Sequence, residues 1–352
     1  MKLAIFLPNW IGDVVMATPA VRALREHYAR AECIVVCKPY VREVLAGSSW
    51  FDGHLLLDRG RAWSQSWPAV AWKLRREGID LAVLFPNSFR AALVASLAGS
   101  KRVVGFKRYM RGWMLTDSLE PTRDEHGRLV PCPVIDDYNR IAMAAGTPAP
   151  GHRMELFTTP ADEAAADAVH ASLNIRPGDP VVCLNPGAAF GAAKHWPEQY
   201  FAQLANDLIR SRGCKILTLC GPSEREQANQ IVKLANHPNV LSIADQNLSL
   251  GLTKALIRRC ALLVTTDSGP RHFAAAFDRP VVTLYGPTFI DWTRTYFDKE
   301  INLQESVPCG PCQQRICPTD HACMTRLAPG RVLAAGLELL ARSSPLTERK
   351  AS

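Results

Sequence analysis

The stretch Val264 to Phe277, VTTDSGPRHFAAAF, has the residue types of an anion site. The apolar run Cys260 to Val264 predicts a short buried strand, and the small residues Phe273 to Phe277 predict a helix. Ser268 suits an N-cap, Gly269 permits close backbone approach, and Pro270 fits the first helical position. A helix starting there turns free N–H groups and a partial positive charge toward a ligand, most simply a diphosphate. Asp267 and His272 flank the turn as acceptor and donor. The same residues also suit an ordinary capped strand–turn–helix.

Three further loops follow predicted strands nearby. Asn185 to Pro197, NPGAAFGAAKHWP, carries Gly187 and Gly191, then Lys194 just before a predicted helix. A lysine there reaches a phosphate as a point charge, or is simply a solvated side chain. Gly221 to Glu226, GPSERE, offers a carboxylate for a ribose, although Ser223 and Glu226 also have capping-box spacing. Tyr285-Gly-Pro-Thr288 is the last. Loops at strand ends of one sheet converge on one crevice, which makes the set far more informative than any member.

Near the N-terminus, Asp13 is the only acid between residues 3 and 24. It suits a general base facing an interdomain cleft, with a pKa raised by partial burial, or an N-cap for a helix from Val14. Lys101, Arg102, Lys107, Arg108 and Arg111 cluster around Gly105-Phe106 and, with Arg90, predict a basic patch for a polyanionic acceptor. A solvated face fits the same charges. The interleaved Phe106, Tyr109 and Trp113 would suit a lipid interface or a single-stranded nucleic acid. Cys309, Cys312, Cys317 and Cys323, with His321 among them, have a spacing that zinc can use, though not the usual two separated pairs. A thiol cluster supporting a loop is the other reading.

The elements that must position these residues alternate. Strands are predicted at Lys2 to Leu7, Glu32 to Cys37, Leu81 to Phe85 and Arg102 to Phe106, with helices at Val14 to Tyr28 and Ala91 to Ala98. A Pro-rich stretch from about Thr147 to Pro180 carries one acidic helix, Ala161 to Leu173. A second series then runs from Val181 to Tyr285, followed by an amphipathic helix from Arg331 to Arg342. Such alternation predicts parallel sheets with helices on both faces. We expect an α/β protein with two Rossmann-like domains: 1–155, a connection at 156–178, a second domain at 179–342, and a frayed tail at 343–352.

The chain has 352 residues, which favours two cores over one. Its net charge of +8 favours anionic partners. No apolar run approaches the roughly 20 residues of a membrane span. The first residues, broken by Pro8, Gly12 and Asp13, read as strand and loop rather than a signal peptide, which predicts a cytoplasmic protein. The 11 cysteines, mostly in apolar runs, fit a reducing compartment. No D-x-D pair, no G-x-x-x-x-G-K-[ST] loop and no G-x-S-x-G elbow is present, so metal–nucleotide handling by paired acids, ATPase and hydrolase chemistry are disfavoured.

Taken together, the segments PNWIGDVVMATPA, LFPNSFRAAL, NPGAAFGAAKHWP, GPSERE, TTDSGPRHFAAA and LYGPT resemble the ADP-heptose:lipopolysaccharide heptosyltransferases of glycosyltransferase family 9, most closely the heptosyltransferase II type. The resemblance runs over nearly the whole chain and implies a GT-B fold, with the nucleotide sugar held by the second domain and the acceptor by the first. It implies Asp13 as the base. It also implies Lys194 on the donor phosphate, Glu226 or alternatively Glu224 on the ribose, Asp267 near the heptose, and Ser268, Gly269 and His272 at the diphosphate. Asn87, Ser88, Arg90, Lys107, Arg108 and Arg111 are the expected acceptor contacts. The implied reaction is inverting transfer from ADP-L-glycero-D-manno-heptose to heptosyl-Kdo2-lipid A. No cofactor is required, although a divalent cation would stimulate or a structural zinc assist. The expected partners are the donor, the lipid A-core acceptor and the inner face of the inner membrane, with the protein peripheral there, monomeric and without nucleic acid. Another heptosyltransferase type, a sugar-nucleotide enzyme such as an epimerase, and a non-catalytic nucleic-acid-binding protein are the alternatives.

Overall fold

A computed structural model describes residues 1–58 and 62–343, so the frayed tail expected at 343–352 lies outside the described residues except for the backbone of Ser343. The chain divides into two compact units. The first is Met1–Phe157 with Asp291–Tyr296; the second is Thr158–Ile290 and the chain from Phe297 onward.

The first unit holds β1 (Lys2–Phe6), α1 (Ile11–Met16), α2 (Thr18–His27), β2 (Glu32–Cys37), α3 (Pro39–Val44) and β3 (Gly53–Leu56). It continues with α4 (Trp67–Glu77), β4 (Leu81–Leu84), α5 (Phe89–Leu97), β5 (Arg102–Phe106), β6 (Asp117–Leu119) and α6 (Val134–Ala144). Its sheet has the order β3-β2-β1-β4-β5-β6, with every pair parallel. Leu3 to Phe6 and Leu81 to Leu84 are buried throughout, as strands covered on both faces must be.

Two expectations change here. The helix expected from Val14 to Tyr28 is two helices, α1 and α2, joined at Ala17. Helix α1 starts at Ile11 behind Trp10, so Asp13 sits inside its first turn and is not the N-cap. The basic residues around β5 also separate. Lys101 and Arg102 stand at its start, bound to Asp80 and Asp117, whereas Lys107, Arg108 and Arg111 follow its far end.

The second unit runs α7 (Pro160–Ser172), β7 (Val181–Asn185), α8 (Glu198–Arg212), β8 (Lys215–Thr218), α9 (Arg225–Ala235) and β9 (Val240–Ser242). Then come α10 (Leu250–Arg259), β10 (Leu262–Thr266), α11 (Gly269–Ala276), β11 (Val281–Tyr285), β12 (Glu300–Gln304), α12 (Ala322–Thr325) and α13 (Pro329–Ser343). The parallel sheet has the order β12-β11-β10-β7-β8-β9. Counted from its own first strand, this is the same order as in the first unit, with the reversal between β7 and β10. Ligand crevices in such sheets form at that reversal, beyond the carboxyl ends of the strands.

The segment 156–178, expected as a connection, folds largely onto the second unit. Thr159 and Asp162 close a reciprocal cap on α7, and Arg259 of α10 donates to Glu163 and Asp167. No helix among the described residues is long and apolar enough to cross a membrane.

Candidate functional site

The second unit places Asn185 at the end of β7 and Asp267 just past β10, on either side of the strand-order reversal. Helix α11 begins at Gly269, directly behind Ser268 as expected, with Pro270 in its second position rather than its first. Ser268 occupies the N-cap position, but its hydroxyl makes no cap. It lies 3.1 Å from Asn185 Nδ2 and 3.3 Å from Thr265 Oγ1. That leaves the first N–H groups of α11 without a side-chain cap from Ser268, which is the arrangement an anion exploits.

Asp267 is buried and is the hub of the site. Its Oδ2 accepts from Lys194 Nζ at 2.6 Å and from Thr288 Oγ1 at 2.8 Å. Its carbonyl oxygen accepts from the same Lys194 Nζ at 2.7 Å, and Arg271 Nη1 lies 3.5 Å from Oδ1. Burial alone would push the carboxyl up, but Lys194 and Arg271 outweigh it and hold it below its ordinary range. Lys194 is itself buried, so the solvated reading of it fails.

Arg271 was not foreseen as a site residue. It is fully buried and grips Glu300 through Nε and Nη2, each at 3.0 Å, and it also donates to the Tyr285 hydroxyl. Burial disfavours its charge, yet Glu300, Tyr285 and Asp267 raise its pKa above the ordinary value. The signal was in the sequence: a basic residue within the apolar run of a short helix needs a buried acid. His272 beside it is buried, and its Nδ1 has no hydrogen-bond partner among the described residues. Burial, then the Arg271 charge, drives its pKa well below the usual range, so it is a neutral imidazole. It is therefore a hydrogen-bonding group at the turn rather than a charge.

Of the two ribose candidates, the structure brings Glu224 to the crevice. Its carboxylate accepts from Gly221 N at 2.8 Å, and a Cβ on Gly187 would overlap it. Glu226 lies exposed in the first turn of α9. The reciprocal contact therefore joins Gly221 and Glu224, not Ser223 and Glu226.

The cysteine segment supports the lysine loop. Arg315 O accepts from Ala193 N at 3.0 Å, and His321 Nε2 lies 2.7 Å from Ala193 O. Two cations stand over Phe190, with Lys194 Nζ 5.0 Å and the Arg315 guanidinium 5.5 Å from its ring centroid. Cys309, Cys312, Cys317 and Cys323 line one small cavity next to Ala193, and all are free thiols. Among the described residues no three His, Cys, Asp or Glu side chains are grouped to hold a metal, and His321 Nε2 is occupied by Ala193.

In the first unit, Asp13 is half-buried in α1, which packs on α6. The buried Tyr138 hydroxyl of α6 is pushed up first by burial and then by the nearby charges of Asp13 and Asp137. Ser88 caps α5 by accepting from Ala91 N at 3.2 Å. Asn87 Oδ1 accepts from Arg111 Nη2 at 3.0 Å, and Arg90 is half-buried nearby in sequence. Arg111 is not available to an acceptor. It is fully buried and donates to the carbonyls of Phe106 at 2.9 Å and Ser88 at 3.2 Å, and also to that of Pro86. Burial, then Arg108, lowers its pKa to about 10. Lys107, paired with Glu120 at 3.2 Å, and the half-buried Arg108 keep access to solvent.

Residues 67–323 match the family described as glycosyltransferase family 9 (heptosyltransferase). The chain is 28% identical over 302 residues to lipopolysaccharide heptosyltransferase 2 of Salmonella typhimurium, covering 83% of this chain and 85% of that one. It is 29% identical over 358 residues to lipooligosaccharide heptosyltransferase 2 of Campylobacter jejuni, covering 97% and 99%. The solved ADP-heptose lps heptosyltransferase II of E. coli superimposes with a TM-score of 0.79 at 26% identity, over 97% of this chain and 99% of that one. With two six-stranded parallel sheets, the fold is of the GT-B type found in that structure. A non-catalytic nucleic-acid-binding protein is set aside by these matches. The site around Asp267 and the family match lead to one conclusion: the chain belongs to glycosyltransferase family 9, the heptosyltransferases, and is a glycosyltransferase enzyme.

Proposed function

We propose that the protein transfers a heptose from ADP-L-glycero-D-manno-heptose to the heptosyl-Kdo2-lipid A inner core of lipopolysaccharide, with inversion at the anomeric carbon. The observation that carries this reading is the buried Lys194–Asp267 pair beside the N-terminus of α11. It sets a cation, a neutral imidazole and helix N–H groups at the strand-order reversal, where a diphosphate binds. The relatives named for the transfer of this sugar support the donor; that name belongs to them and is carried over here as part of the proposal.

In the proposed reaction the acceptor hydroxyl attacks the anomeric carbon and the bond to the ADP oxygen breaks. Asp13 takes the hydroxyl proton. The leaving diphosphate gathers negative charge, met by Lys194, by His272 as a neutral donor and by the α11 N–H groups. These groups are fixed before reaction, so they stabilise the charge without reorganising. Glu224 holds the ribose hydroxyls. Lys107 and Arg108 face the phosphates of the acceptor, and the protein works as a monomer on the cytoplasmic face of the inner membrane.

Calorimetric titration with ADP and UDP is the direct test, followed by a product assay with ADP-heptose. Selective ADP binding that Lys194→Ala weakens, with heptose appearing on the lipid acceptor, is the expected result. Free sugar and nucleotide released without an acceptor would instead point to a sugar-nucleotide enzyme of another kind. Binding of neither nucleotide would remove the proposal's foundation.

A further inference from the structure

We infer that the turn from Lys107 to Trp113, after β5, is a membrane anchor that enters the headgroup region of an anionic bilayer. Three large side chains project from it: Tyr109 is 68% exposed, Met110 89% and Trp113 74%. Such exposure of neighbouring apolar residues is uncommon in a soluble surface and marks a contact face. The turn is built to hold them out. Tyr109 and Met110 have φ of 50° and 58°, a left-handed conformation that costs energy in residues of this size. The buried Arg111 guanidinium ties the base of the turn to Phe106, Ser88 and Asn87, so the projection is fixed.

The chemistry selects a bilayer among possible partners. Tyr and Trp with an apolar body and a polar tip favour the interface between headgroups and acyl chains. Lys107 and Arg108 stand at the base of the turn, with the Arg108 guanidinium 5.5 Å from the Tyr109 ring. No acid occurs from residue 107 to residue 116, and although Lys107 meets Glu120 at 3.2 Å, Arg108 leaves the turn cationic where anionic phospholipid would lie. The 3₁₀ segment Gly112–Met114 packs on α5, which packs on α4, and exposed aromatic residues open both helices at Phe89 and Trp67. The inference rests on the lipid-linked acceptor proposed above and gives that reading its surface.

The test is flotation of the full chain with vesicles of phosphatidylethanolamine and phosphatidylglycerol, compared with the double variant Met110→Ser/Trp113→Ser. The wild type should float with these vesicles, more weakly with pure phosphatidylcholine and less as salt rises. The double variant should lose about tenfold in vesicle binding, yet keep wild-type turnover on a deacylated, water-soluble acceptor and unchanged ADP binding. Equal flotation of variant and wild type, or no flotation of the wild type, overturns the anchor. So does an equal loss of turnover on the deacylated acceptor, which would make the turn part of the sugar site. Sedimentation showing that the two substitutions dissolve a dimer would assign the face to a second copy instead. Vesicle binding needs neither donor nor acceptor, so a failed heptose transfer would sink the proposed reaction while leaving this surface standing.

Discussion

Lys194 Nζ lies 2.6 Å from Asp267 Oδ2 and 2.7 Å from the Asp267 carbonyl oxygen, so a single buried cation satisfies two acceptors of one residue. The lysine is shielded from water and already committed. A diphosphate that recruits it must compete with a carboxylate, and Thr288 and Arg271 remain to hold Asp267 when it does. Removing the carboxylate leaves Lys194 and Arg271 facing each other across a buried gap. We expect Asp267→Ala to cost about 3–5 kcal/mol of stability, the range for an uncompensated buried charge. Thermal unfolding at neutral pH measures it, and a loss under about 1 kcal/mol would mean the pair is solvated in practice.

The same carboxylate sets an acid limit. Its pKa in the folded protein lies below the ordinary 3.8, through Lys194 and Arg271 and against burial. A group lowered on folding contributes stability that is complete above its unfolded pKa and is lost as pH falls through the folded value. Asp267→Asn should therefore flatten the stability profile below about pH 4 relative to wild type. Denaturant midpoints at pH 3 to 6 provide the comparison; parallel profiles would contradict the assignment.

Asp13→Asn should lower kcat by about 10²–10⁴-fold, the usual contribution of a general base, while ADP affinity stays within error. Steady-state kinetics with a lipid acceptor and a calorimetric ADP titration give the two numbers. Normal turnover in the variant excludes Asp13 as the base.

Glu224 and Glu226 can be separated by a missing hydroxyl. Glu224→Gln should weaken ADP by about 1–3 kcal/mol and bring its affinity close to that of 2′-deoxy-ADP, whereas Glu226→Gln should leave both unchanged. If the second substitution has the larger effect, the exposed acid moves inward on binding.

Arg111→Met removes a buried fork that serves the loop after β4 and the turn after β5 together. The stranded carbonyls should cost about 2–4 kcal/mol. A shift in the urea midpoint without a change in slope would register it, and no shift would show that water replaces the guanidinium.

Much of the fold could be read from hydrophobic runs, because central parallel strands such as Leu81–Leu84 and Val181–Asn185 are buried on both faces and carry little else. The edge strands β3, β6 and β12 escaped because they are largely half-exposed, and β3 and β6 are also short, so neither alternation nor an apolar run marks them. The site divides similarly. Asp267, Lys194 and the turn at Ser268 were visible as polar residues at strand ends. Arg111 misled because charge in a sequence does not reveal burial, so it looked like an acceptor contact; Arg271 was passed over although its place in an apolar helix called for a buried acid. Glu300 could not be paired with Arg271 from the chain alone, since the two are brought together only by the packing of α11 on β10 and β11 and the pairing of β12 beside β11.

The strap from Arg315 and His321 onto Ala193 has a consequence for biosynthesis. The contact joins positions 128 residues apart, so Lys194 leaves the ribosome long before the chain that will hold its loop. A nascent chain extending just past Asp267 has the lysine, the aspartate and the start of α11, but no strap. The loop that carries Lys194 can therefore be fastened only after Arg315 and His321 have been made, and in a chain stalled before Arg315 it should lack its strap.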